Sequence, residues 1–493
     1  MRPPLMDQAT PRSAAVAFAV VACALDSAAG QQPQLALVER AFSQQSATAS
    51  LSWGLYGRPG DLFVLLADLT AGQTSLFGRP FDLAFSPALQ ALGVGLLQAS
   101  GTSGFLPLAP SALPAGVPVL LQFGEWDVAQ GLGTLLVSNA DSFVVHNSAT
   151  AIVASFDSPG LGPFAMTGVY DRSVFYRLQA LPPTVRQVRP LPPQAYPFPA
   201  TSSFDPLHPA GSRFQLAFRA ADLGANGLPE ALTAVRWRPL FGAVTAQSHP
   251  QFELLAAHTA AVPDYSIDPW SALPVAPNSG LATTFASNPA GPSTTLYSGP
   301  YSVLPQSLLP SGYLPFPTPQ QSFVYDGERT LLLETRCAPA PGAGTPQNHQ
   351  LFYLLVPSSP NPFATVYASA GWNGQPSPLP PLAATTGTGG SFLFDWELEF
   401  VRSTSQATSA WLPSQLAAPD YQPATAIGFT PPGTTMQFEY RGADDAVGTG
   451  ATAWSGSQDI ADGKPFLQFR VRMTANVVTG AVPWLDTLVV PAQ

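Results

Sequence analysis

Residues Leu467–Met473 read LQFRVRM, with Leu467, Phe469, Val471 and Met473 apolar and Gln468, Arg470 and Arg472 polar. A repeat of two is the period of a strand that sends successive side chains to opposite faces, here one dry and one wet. The same alternation recurs along the chain. Val117, Val119, Leu121 and Phe123 alternate with Pro118, Leu120 and Gln122, as do Phe214, Leu216 and Phe218 with Arg213, Gln215 and Arg219, and Met436, Phe438 and Tyr440 with Gln437, Glu439 and Arg441. Helical periodicity is nearly absent. The turn pairs Asp326-Gly327, Pro432-Gly433 and Asp462-Gly463 punctuate the strands, as antiparallel hairpins require.

The chain has 493 residues with 55 Pro and 41 Gly, which is long enough for several domains and rich in the residues that end strands and blunt sheet edges. The expected fold is all-β: three tandem antiparallel β-sandwich domains, Ig-like or jelly-roll-like, after a signal peptide. The Pro-rich stretch from Leu181 to Thr201 reads as a stiff spacer, and Gly374 to Gly390 as a second break. These breaks predict a signal peptide over 1–30, a sandwich over 31–155, a linker over 156–195, a sandwich over 196–390 and a C-terminal sandwich over 391–493.

Export follows from the N-terminus. Arg2 and Arg12 supply a positive region, Ala14 to Leu25 an apolar run too short to span a bilayer, and Ser27-Ala28-Ala29 a small-residue cleavage site. Val20-Val21-Ala22-Cys23 also fits a loose lipoprotein box with Cys23 as the lipidation site; the alternative is a cysteine lost with the leader. Twenty Lys and Arg face thirty Asp and Glu, for a net charge of −10. Such a chain repels phosphate backbones, so no nucleic-acid partner is expected, and no basic cluster in the sequence offers a handle for anionic lipid. Later apolar runs are broken by Pro, Gly or polar residues, so no transmembrane span is expected. With Cys23 in the leader, Cys337 is the only internal thiol, which excludes an intramolecular disulfide.

Six further stretches carry a resemblance. Gly463 to Val490, GKPFLQFRVRMTANVVTGAVPWLDTLVV, resembles the closing hairpin of sandwich modules in secreted bacterial proteins. FELLAAHT, TTFASNPAGPSTTLYSGPYSV and FVYDGERTLLLE are similar to segments of a sandwich domain of planctomycete-type secreted multidomain proteins. GRPGDLFVLLADL and LPAGVPVLLQFGEWD resemble another module of that repertoire. The resemblance implies fold and a secreted or cell-surface location. Those families have no assigned reaction, so no catalytic residue is carried over.

The candidate catalytic residues are Asp395, Glu397 and Glu399 in FLFDWELEFV, opposite a face of Phe392, Phe394, Trp396, Leu398 and Phe400. On a strand, alternate carboxylates stand roughly 6.5 to 7 Å apart, within the span of a glycosidase pair. The pattern echoes the E-x-D-x-E strand of jelly-roll glucanases. It departs from it with Asp395 at the position of the Glu nucleophile and Glu397 at that of the Asp. The bland alternative is three solvated carboxylates on a wet face.

Other candidates are sparser. Trp270 and Trp372, in loop-like surroundings, are candidate ligand-binding residues that would stack on sugar rings. Asp444, Asp445, Asp459 and Asp462 are candidate calcium ligands without a recognised ligand spacing, so the expected cofactor is none unless Ca²⁺ binds there. In SFVYDGERTLLLETRC, Ser322 to Cys337, strand phase predicts a hairpin about Asp326-Gly327, a buried Cys337 and a solvated Glu334–Arg336 pair; His349 is the nearest histidine in sequence that follows it. No nucleophile elbow, zinc helix, P-loop or dinucleotide fingerprint is present. The expected function is therefore an exported, non-catalytic structural or adhesive protein whose partners are cell-envelope or matrix components, polysaccharide included; the alternative is a glycan-active hydrolase using the three carboxylates.

Overall fold

The computed structural model describes residues 33–37, 41–44, 49–108, 113, 115–155, 164–165, 177–190, 196–199, 206–239, 244, 246–263, 280–340, 350–353, 365–369, 371–372, 375–376, 383–390 and 392–493. The segment 1–30 expected to be a leader, with Cys23, lies outside them. Among the described residues the fold is all-β, with no α-helix and only short 3-10 turns such as Leu132–Thr134. Among the described residues every strand pair is antiparallel except Ala41–Ser43, which lies parallel to Asp141–His146.

The N-terminal pair of sheets encloses Leu51, Leu55, Phe63, Leu65, Phe123 and Phe143. One sheet runs in the order Gln34–Leu37, Ala49–Tyr56, Thr102–Leu108. The other has Pro118–Trp126 and Leu62–Asp68 at its centre. The expected wet face of Pro118–Trp126 is not wet. Leu120 packs with Leu83, Val144, Ile427 and Val489, because strands from the C-terminal end of the chain lie across it.

Those strands are Thr425–Phe429 and Trp484–Ala492, flanked by Thr150–Ser155 and Leu178–Gln179. Every residue of Trp484–Ala492 is buried, since one face meets the N-terminal sheets and the other meets Phe469, Val471 and Met473. A strand covered on both sides has no reason to alternate, which is why WLDTLVVPA reads as a nearly continuous apolar run. Ser142 Oγ donates to Asp486 Oδ2 at 2.6 Å within this buried contact.

A second pair of sheets occupies the middle of the chain. One has the order Thr184–Val188, Trp396–Arg402, Glu230–Trp237, Leu314–Pro315; the other places Thr330–Cys337 between Gln247–Thr259 and Ser212–Phe218. Between them lies an aromatic core that includes Phe214, Trp237, Phe252, Phe316, Trp396 and Phe400.

Strand pairing redraws the expected boundaries. Thr184–Val188, placed in the linker, and Trp396–Arg402, placed in the C-terminal sandwich, are neighbours in the middle sheet, so both belong to its core. Thr150–Ser155, placed in the first sandwich, pairs along its whole length with Trp484–Ala492. The C-terminal sheets are therefore assembled from two separated stretches of chain, with the middle sheets inserted between them rather than following in tandem. The physical reason is that a strand takes its place by the hydrogen bonds of its edges, which Pro content does not report.

The hairpin expected at Asp326-Gly327 is also corrected. Phe323–Tyr325 pairs with Glu230–Trp237, whereas Thr330–Cys337 lies in the opposite sheet, so the turn carries the chain from one sheet to the other. Gly327 adopts φ 77°, but Asp326 does not join it in the left-handed region, as a type I′ turn would require. Asp326 Oδ1 instead accepts the backbone N–H groups of Glu328 and Arg329 at 3.0 Å each.

Candidate functional site

The strand Trp396–Arg402 presents Trp396, Leu398 and Phe400 to the core with no exposed surface, and Asp395, Glu397 and Glu399 to the other side. That much follows from strand period. The solvated face does not: Asp395 is 2% exposed and Glu397 7%. The register sets Arg236 opposite Glu397, and its fork reaches two carboxylates at once. Nη1 donates to Glu397 Oε1 at 2.9 Å and Nη2 to Glu399 Oε2 at 2.6 Å. Arg189 Nε stands 3.7 Å from Glu397 Oε2. Gln187 Nε2 donates to Glu399 Oε2 at 3.3 Å and Thr233 Oγ1 to its Oε1 at 3.2 Å.

Asp395 is held differently. The Tyr313 hydroxyl donates to its Oδ1 at 2.7 Å, and Arg238 Nη1 stands 3.4 Å from Oδ2. Burial pushes its carboxyl above the ordinary range, opposed first by the Tyr313 hydrogen bond and then by the charge of Arg238. Burial also pulls Glu399 upward, but the hydrogen bond from Arg236 and those from Gln187 and Thr233 outweigh it and hold the group below its usual value. The row is a ladder of three carboxylates interleaved with arginines from two neighbouring segments. A glycosidase needs one carboxyl free to give a proton and another free to attack or to activate water. Here every one of them is already accepting from a guanidinium or a phenol.

Sequence reading missed the arginines because they lie far away along the chain. No local signal marks Arg236 as the partner of Glu399; only the antiparallel register brings them together. The same holds for Glu334, expected on a wet face and found 4% exposed. Arg336 Nε stands 2.5 Å and Arg213 Nε 2.8 Å from its Oε1, and Gln215 Nε2 donates to Oε2 at 2.7 Å. Asn288 and Phe285, from a segment folded over that sheet, cover the network: Asn288 Nδ2 donates to Gln215 Oε1 at 2.8 Å, and the Arg213 guanidinium lies 4.2 Å from the Phe285 ring centroid.

Cys337 faces the core, as strand phase predicts, and is fully buried. Its Sγ lies 2.6 Å from Nδ1 of His249, a residue no spacing argument singled out; His349 lies outside the described residues. Gln247 Nε2 abuts the other ring nitrogen of His249 at 2.5 Å. A thiol beside an imidazole is the pairing that activates a nucleophile. Both groups are sealed in the core with Phe252 and Tyr301, so no substrate reaches them.

The calcium candidates are not brought together. Asp444 Oδ1 accepts from Lys464 Nζ at 2.7 Å, Asp445 Oδ1 from the N–H groups of Val447 and Thr449, Asp459 Oδ1 from Gln458, and Asp462 Oδ1 from the N–H of Tyr421 at 2.9 Å. Among the described residues no three His, Cys, Asp or Glu side chains gather as metal ligands. Trp270 lies outside the described residues, and Trp372 sits in the short strand Gly371–Trp372 paired with Gln375–Pro376. No helix among the described residues is long and apolar enough to cross a membrane.

A cleft of about 310 Å³ lies where the N-terminal and C-terminal sheets meet, lined by Gln73, Thr74, Ser75, Asp82, Gln122 and Arg177. Arg177 Nη1 pairs with Asp82 Oδ1 at 2.7 Å and its guanidinium lies 4.5 Å from the centroid of the buried Trp484. Amide, hydroxyl, carboxylate and guanidinium groups reach into the cleft beside Pro80, but most of its lining surface is apolar.

No protein-family model matches the chain, and no curated protein matches it. Two solved structures are similar at 9% identity. One comes from work on the promiscuous specificity of carbohydrate-binding modules of the β-sandwich superfamily; the match covers 64% of this chain and 94% of that one with a TM-score of 0.13. The other is the infectious bursal disease virus Gx strain structure, covering 94% of this chain and 82% of that one with a TM-score of 0.16. At these scores neither likeness carries an argument about what the chain binds or does.

Proposed function

We propose that the chain is an exported, non-catalytic surface or matrix protein of three β-sandwich units that holds glycans or envelope components. The observation that carries this reading is the ladder of Arg236, Arg238 and Arg189 on Asp395, Glu397 and Glu399. Carboxylates locked in ion pairs stiffen a sheet and leave no free acid or nucleophile. Export is supported by the charged, apolar and small-residue order of the first 30 residues. Glycan contact is supported by the cleft at Gln73, Thr74 and Ser75, where a few amide and hydroxyl groups stand in a mostly apolar lining, the mix of hydrogen-bonding groups and apolar surface that a sugar ring presents.

The rival hydrolase has one observation in its favour. Asp395 is raised and Glu399 lowered, the separation that acid and base partners show. Incubating the mature protein with a panel of neutral and acidic polysaccharides, and measuring both retention and new reducing ends, divides the two. Binding without product is expected. Product that disappears in Glu399→Gln would sink the non-catalytic reading.

A further inference from the structure

The outer face of the C-terminal sheet carries a basic patch that the linear sequence hides. On strands Thr404–Ser409, Phe466–Thr474 and Thr435–Ala443, the register aligns Gln406 with Arg472 and Gln437, and Thr408 with Arg470 and Glu439; Arg441 stands opposite Gln468. Three arginines thus share one face with a single carboxylate, on a chain whose acidic residues outnumber its basic ones by thirty to twenty.

Two of the three arginines, Arg441 and Arg470, are stacked on aromatic rings. The Arg441 guanidinium lies 5.0 Å from the Trp411 ring centroid and 4.4 Å from that of Trp454, and Arg470 lies 4.5 Å from Trp454. Backbone bonds between Tyr440 and Ser455, at 2.7 and 3.0 Å, fix Trp454 alongside the strand. Each guanidinium uses its Nε on the sheet: Arg441 to Gln468 at 2.8 Å, Arg470 to Glu439 at 2.6 Å, Arg472 to Gln406 at 2.8 Å. Among the described residues none of the three spends an Nη nitrogen on a protein acceptor, and none of those nitrogens is a buried orphan. The result is a row of pre-oriented forks whose free edges meet solvent.

Resting on the reading of a glycan-contacting surface protein, we infer that this face binds a carboxylate-bearing polysaccharide, with Arg441, Arg470 and Arg472 each taking an acidic group. A planar fork matches a carboxylate in two parallel hydrogen bonds, and aromatic stacking fixes the fork beforehand, so little order is lost on binding. Arg470 and Arg472 stand roughly 7 Å apart along the strand, a spacing of the order of one sugar unit. Between them Gln406, Gln437 and Thr408 offer neutral donors and acceptors for sugar hydroxyls. Duplex nucleic acid presents phosphates far more densely, and the net charge of −10 opposes it over the whole surface.

The test is titration of the full chain with oligogalacturonate, with a neutral glucan oligomer and duplex DNA as comparators. Binding of the uronate that weakens as salt rises is expected, with a loss of at least about tenfold in Arg441→Gln/Arg470→Gln. Arg472→Gln, which gives up one contact to Gln406 and no stacking, should also weaken binding while its melting temperature stays that of the parent. Unchanged affinity in both variants overturns the inference, as does DNA that competes at equal charge. Binding to neutral glucan alone also overturns it, and leaves the adhesive reading standing.

Discussion

Glu125 carries a proton that matters to stability. It lies fully buried on Pro118–Trp126, where among the described residues its carboxylate accepts only the N–H of Arg58, at 3.4 and 3.2 Å. Burial raises its pKa to about 7, with the Arg58 hydrogen bond opposing and the nearby Asp61 charge assisting. Because the folded pKa is raised, the stabilising contribution is full below the unfolded value near 4.5 and is lost as pH rises through about 7. Glu125→Gln should therefore be more stable than the parent at pH above 7 by about 1–2 kcal/mol and melt at a higher temperature there, with the gap closing toward pH 4.5. Parallel curves of melting temperature against pH would contradict this. Gly57 is the complementary constraint: a Cβ there would lie 1.7 Å from Glu125 Oε2, so the glycine is needed for the close approach.

At the scale of elements, cross-strand ion pairs do the work that sequence reading assigned to water. Arg236 joins two carboxylates of Trp396–Arg402 and is itself only 15% exposed in its side chain. Removing it leaves the buried Glu397 with only the longer Arg189 contact at 3.7 Å, which is more costly than removing an exposed partner. Arg236→Met should cost roughly 2 kcal/mol in urea unfolding, and Glu399→Gln less than about 1. Equal costs would mean that the ladder is decoration. Strand phase was legible here: it told which side chains of DWELEFV, LLLETRC and LQFRVRM share a face, although Phe392–Phe394, read as the start of the same strand, pairs in another sheet and buries Leu393 as well. What covers the second face was not, because Phe285 and Asn288 over Glu334, or Val489 over Leu120, come from distant segments.

At the scale of the whole molecule, insertion of the middle sheets into the C-terminal ones sets which pieces fold alone. Residues 391–493 expressed by themselves lack Thr150–Ser155 beside Trp484–Ala492 and keep Trp396–Arg402 without its sheet, so they should give poor amide dispersion in solution NMR. Residues 182–403 carry the middle core intact and should give a dispersed spectrum. A well-folded 391–493 would refute the insertion. Local sequence by itself determined the all-β class, the side-chain phase of the alternating strands such as Leu467–Met473 and the burial of Cys337, because alternation and steric preference act over a few residues. Tertiary structure alone decided the strand partners, the arginine ladder on Asp395, Glu397 and Glu399, the His249–Cys337 contact and the gathering of Arg441, Arg470 and Arg472 on one face. Each depends on edges and faces meeting across long stretches of chain, and such meetings are set by the hydrogen bonds and burial of the complete fold.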